Sequence, residues 1–149
     1  MMNTLMKAFM PPKKMIDMFT LKVKINQAIE NISQQVPAKC EEYGFTLLTT
    51  YNYHEIVENK GFPIKQKVWI YEICVAKTAA LMLTSNPNFS IFMPCKLSVY
   101  EENGKTIIST MNMGIMLEAV KTDKELYDNA TSLFTSIKNM MNSFENITK

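Results

Sequence analysis

Arginine is absent from this 149-residue chain; all sixteen basic residues are lysines. Lysine is a compact point charge without the planar fork that reads guanine edges and grips phosphates at two points. Sequence-specific nucleic-acid binding is therefore not expected, and a net charge of +2 creates no strong field toward acidic partners. Glycine is scarce too: residues 44, 61, 104 and 114 are too scattered to build a phosphate-cradling loop or a dinucleotide fingerprint. A single histidine, His54, rules out a zinc site made from several imidazoles. Three cysteines, Cys40, Cys74 and Cys95, are odd in number and form no C-x-x-C, which argues against a secreted disulfide framework. No run approaches the roughly 18 apolar residues of a membrane span, and the first residues lack the pattern of a signal peptide. The expected setting is a reducing cytoplasm.

What is present suits a globular protein, with 47% apolar and 20% charged residues in a length that fits one domain. Residues 1–17 stand apart as a methionine-rich arm, holding five of the thirteen methionines and the Pro11-Pro12 break. Met2, Leu5, Met6, Phe9 and Met10 fit one face of a helix. Residues 18–149 form the expected single domain.

Within that domain, Phe19, Leu21, Val23 and Ile25 alternate with polar residues, the period of a half-buried strand. Asn26 is the expected cap of a helix with apolar residues at 28, 29, 32, 36, 40 and 43, kinked or restarted at Pro37 and closed by Gly44. A second strand covers FTLLTTYNY, and a short helix ends at Gly61. KQKVWIYEICV alternates, with Val68, Ile70, Glu72 and Cys74 on one side and Trp69, Tyr71, Ile73 and Val75 on the other. AKTAALMLTS is helical up to Asn86-Pro87. A short strand is expected at 89–92, then a hairpin of 95–101 with 105–111 that turns at Asn103-Gly104. Thr122 and Glu125 make a capping box for a long C-terminal helix. Its seam of Leu126, Ala130, Leu133, Ile137, Met140 and Phe144 can cover a sheet or pair with a twin. The sum is an α+β two-layer sandwich, a mainly antiparallel sheet covered by helices.

The order of these elements, with GFTLLTTYNY, an Ile-x-x-Cys step into a helix and the run MPCKLSVYEENGKTIISTMN, resembles the DUF302 family over about residues 18–145. Pro94 to Glu101 carries the most specific part of the likeness. The resemblance implies a small α+β sandwich that associates as a homodimer, with no activity established for the family as a whole. The chain departs from it at Cys74-Val75-Ala76, where many relatives have Cys-Asn-Pro, and at Asn112-Met113, where they have Asp-Pro.

Cys74 ends a strand just before a helix, and Cys95 follows Pro94 where a strand begins. Together they suggest a redox pair or a soft-metal site, with Met93, Met111 or Met113 as thioether ligands; the plainer reading is packing, since free cysteine behaves as a small hydrophobe. Cys40 falls on a core face. His54 suggests an axial haem ligand or a proton shuttle, or else a surface residue. Glu72 among apolar neighbours suggests a carboxyl of raised pKa, or one paired with a lysine. Trp69, Tyr71, Tyr51 and Tyr53 on neighbouring strands could stack on a planar ligand. The leading expectation is a non-enzymatic homodimer that binds a small molecule or cofactor, haem or a soft metal included, in a cleft beside Cys74 and Cys95. A thiol enzyme with Cys95 as nucleophile and a purely structural domain are the alternatives.

Overall fold

The computed structural model of the protein describes residues 10–144. Helix α1 (Pro12–Phe19) opens with Pro12 in its first turn and runs into strand β1 (Thr20–Ile25). The helix thus takes in Met18 and Phe19, and the strand begins at Thr20. Residues 2, 5, 6 and 9 of the expected methionine face lie outside the described residues.

Helix α2 (Ile29–Glu42) crosses to strand β2 (Thr46–Asn52). Asn26 is not its cap: the cap position is Ala28, and the Asn26 side-chain Oδ1 accepts from Lys105 Nζ at 3.0 Å. Pro37 does not break α2. A proline lacks the N–H that would reach back four residues, which leaves the Ser33 carbonyl without its helical donor. The Tyr71 hydroxyl donates to that carbonyl at 2.9 Å, so the loss is made good from the sheet. Gly44, at φ 82, then ends the helix with Phe45 N–H donating to Cys40 O and Gly44 N–H to Glu41 O.

Helix α3 (Tyr53–Asn59) is capped by Asn52, whose side chain accepts from Glu55 N–H. Strand β3 (Val68–Cys74) leads into helix α4 (Ala76–Ser85). Residues 87–92 form a 3-10 turn in place of the expected strand. Pro87 presets its φ, and the Asn86 side chain accepts from Asn88 N–H at 3.0 Å, a local bond that competes with extended backbone. Strands β4 (Cys95–Glu102) and β5 (Lys105–Met111) pair with Glu102 opposite Lys105 across a two-residue turn, where Asn103 and Gly104 both have positive φ. Helix α5 (Gly114–Val120) follows, and helix α6 (Lys124–Ser143) closes the chain described here. The cap of α6 is Asp123 rather than Thr122; its carboxylate accepts from Leu126 N–H at 3.1 Å.

The five strands form one antiparallel sheet in the order β1-β5-β4-β3-β2. One face carries Ile25, Tyr71, Ile73, Leu97, Val99 and Ile108 and is covered by α2 and α6, which is the two-layer α+β sandwich expected from the chain. Cys40 is fully buried in this core. The seam of α6 is spent inside the molecule: Leu126 and Ala130 belong to a smaller cluster with Met82 and Val120, whereas Leu133, Ile137, Met140 and Phe144 join the main core. It therefore offers no surface to a twin. The two clusters sit at successive turns of the same long helix, and a cavity lies where they meet.

Candidate functional site: a sulfur-lined cavity at the end of the sheet

The cavity, about 270 Å³, opens where β3, β4 and β5 end. Each wall follows from local structure. Strand β3 stops at Cys74, and Val75 turns the chain into α4, whose inward face presents Thr78, Ala79 and Met82. The Met93–Pro94 peptide is cis, and Pro94, without a donor for the ladder, stands immediately before β4. Cys95 then pairs in register with Ile73. A bulge between Leu47 and Thr49 sets Leu48 outside the regular pairing of β2, and Leu48 lines the mouth beside Phe92.

Cys74, Cys95, Met93, Met111 and Met113, singled out in the sequence, all line this cavity. Both thiols are free. Burial pushes the Cys95 thiol above its ordinary pKa, and the neighbouring Cys74 adds to that rise, outweighing the opposing effect of Lys96. The neutral thiol is thus favoured, which works against Cys95 as a nucleophile at neutral pH.

His54 and Glu72 are not brought here. His54 lies at the opposite end of β3, where Nδ1 is 3.0 Å from Val68 N and 3.2 Å from Val68 O. One ring nitrogen cannot accept and donate at once, so it accepts from the amide when Nε2 carries the proton. Its ring meets Trp69 edge-on at 4.7 Å. His54 fastens α3 to β3 and does not line the cavity that holds Cys74 and Cys95. Glu72 is half-buried on the face opposite Tyr71 and Ile73, in register with Thr49 and Lys96. The strand's alternation had already set it away from whichever face Tyr71 and Ile73 took. The aromatic platform is not formed either, because Tyr71 is sealed in the core and Trp69 is engaged by His54.

Met82, Met116 and Thr78 escaped the sequence reading. Thr78 and Met82 are one helical turn apart on the buried face of α4, a spacing that was readable. That Met116, from α5, would reach the same cavity was not. Five methionines and two cysteines thus contribute to one wall. A soft metal would need several of these sulfurs within about 2.3 Å of one point; the volume also accommodates a small organic molecule. Among the described residues, no group of three or more His, Cys, Asp or Glu could hold a metal ion. About 150 Å³ accommodates benzene, so the cavity is smaller than a fully enclosed haem would require.

A helix-covered antiparallel sheet with a ligand-sized cavity at one end defines an α+β module. The model described as "Domain of unknown function DUF302" matches residues 21–144, and the chain belongs to that family. Its structure is similar to the crystal structure of an uncharacterized conserved DUF302 protein from Bacillus stearothermophilus. The TM-score is 0.71 at 27% sequence identity, covering 84% of this chain and 97% of that one. No curated protein matches the chain.

Proposed function

We propose that this protein is a non-enzymatic, homodimeric module that holds a small apolar molecule in the cavity beside Cys74 and Cys95. The observation that carries the reading is the cavity itself: a wall built mainly of methionine, cysteine and aliphatic side chains around about 270 Å³. Apolar walls gain from excluding water, and polarizable thioethers adapt to an irregular guest. The raised Cys95 pKa favours binding over thiol chemistry. Support for the dimer comes from α1, an eight-residue helix with no buried residue, on which Ile16, Met18 and Phe19 stay exposed. So short a helix is marginal in water unless its apolar side is covered.

Protein carrying 13C-methyl methionine, titrated with indane, tests the cavity. Saturable shifts are expected at the methyls of Met82, Met93, Met111, Met113 and Met116, and should vanish in Ala79→Phe, which fills the space. Unmoved methyls in the parent protein, or equal shifts in a well-folded Ala79→Phe variant, would overturn the reading.

A further inference from the structure

The cavity wall has one hydroxyl with nothing to bond. Two threonines line it. Thr110 is already committed, its Oγ1 donating to Lys96 O at 2.7 Å. Thr78 is 97% buried, yet its hydroxyl has no hydrogen-bond partner among the described residues. Nor is it sealed in protein: the hydroxyl that is sealed without a partner is that of Thr131. The Thr78 hydroxyl therefore opens on the cavity.

A second feature lies at the same place. Thr78 is the third residue of α4, and the cap position is held by Val75, whose side chain accepts no hydrogen bond. The first-turn amides of a helix have no intrahelical acceptor, and they give its start a partial positive charge. The Thr78 hydroxyl can donate or accept, and the partial positive charge of the helix start beside it favours an acceptor on the guest. An ionised carboxylate would satisfy both but would surrender its hydration to an apolar wall, a loss one helix end does not repay. The charged residue on the wall, Lys96, keeps its side chain exposed to solvent. A neutral carbonyl meets the donors without that cost.

We propose, building on the cavity-binding reading above, that the guest is a compact apolar molecule bearing one carbonyl oxygen, a ketone or aldehyde, with that oxygen bonded to the Thr78 hydroxyl at the start of α4. Scaled from the cavity that holds benzene, the volume suits about ten non-hydrogen atoms.

The experiment compares 1-indanone, indane and indane-1-carboxylate by titration against the parent protein and Thr78→Val, an isostere without the hydroxyl. The parent protein is expected to bind 1-indanone about tenfold more tightly than indane. Thr78→Val should lose that advantage while its affinity for indane stays unchanged, with Met82, one turn along α4, reporting occupancy. Equal binding of indanone and indane, a preference that survives in Thr78→Val, or tighter binding of the carboxylate would each overturn the carbonyl assignment. A parent protein that binds indane well but shows no preference sinks the carbonyl alone. A parent protein that takes none of the three sinks cavity binding itself.

Discussion

Tyr71 ties a sequence flaw to its remedy. Pro37 removes a donor from the middle of α2, and the Tyr71 hydroxyl supplies one to the orphaned Ser33 carbonyl from across the layer boundary. Tyr71→Phe should cost about 1–3 kcal/mol in urea unfolding, because it leaves a buried carbonyl unpaired. In a Pro37→Ala background, where residue 37 regains its N–H, the same change should cost markedly less. Equal costs in both backgrounds would refute the link. The pH dependence follows from the same site. Burial pushes the Tyr71 phenol from 10 to about 12, against a smaller lowering by its bond to Ser33. The unfolded chain then releases this proton at lower pH than the folded one. Tyr71's contribution is whole below pH 10 and falls away as pH rises toward about 12. Tyr71→Phe should lack that component, and absorbance at 295 nm should show one phenolate forming last.

Among the elements, helix α6 gives the clearest contrast between two adjacent residues. Thr122 looks like half of a capping box with Glu125, but the carboxylate of Asp123 makes the bond, to Leu126 N–H. Asp123→Ala should therefore lower stability by about 1 kcal/mol while Thr122→Ala leaves it nearly unchanged, as thermal unfolding of the two variants would show. A larger loss at Thr122 would move the cap back. Why the cap was misread is also why other details were: Ser, Thr and Asp share the same chemistry, and a one-residue shift changes nothing in the pattern. The hairpin at Asn103-Gly104 was legible because two successive positive φ angles restrict which residues fit. So were the alternation of β3 and the stop at Gly44. The 3-10 turn at Pro87–Phe92 and the bulge at Leu48 were not, since both depend on bonds that apolar periodicity does not encode. For the site, Cys74, Cys95 and Met93 could be foreseen to share a rim because each marks the end of a strand or turn. Thr78 and Met116 come from helices whose approach to that rim is fixed only by packing on α6.

At the scale of the whole molecule, the seam from Leu126 to Phe144 was the sequence's main argument for a twin, and the fold spends it inside its own two buried clusters. The case for association passes to α1. An eight-residue helix at the edge strand, carrying Ile16 at 60% and Phe19 at 50% exposure, has little among the described residues to hold it helical. A second copy meeting it across a two-fold axis would cover both helices at once, since an isologous contact buries the same patch twice. Light scattering at micromolar concentration should return the mass of a dimer. Ile16→Glu with Phe19→Glu should shift it to monomer, because two charges at the centre of an apolar contact cannot be paired there. Ile16 and Phe19 are exposed and belong to neither buried cluster, so circular dichroism and the unfolding midpoint of the α+β core should change little in the same variant. A parent protein that scatters as a monomer would remove the twin while leaving the cavity and its guest untouched, for none of Ile16, Met18 and Phe19 lines that cavity.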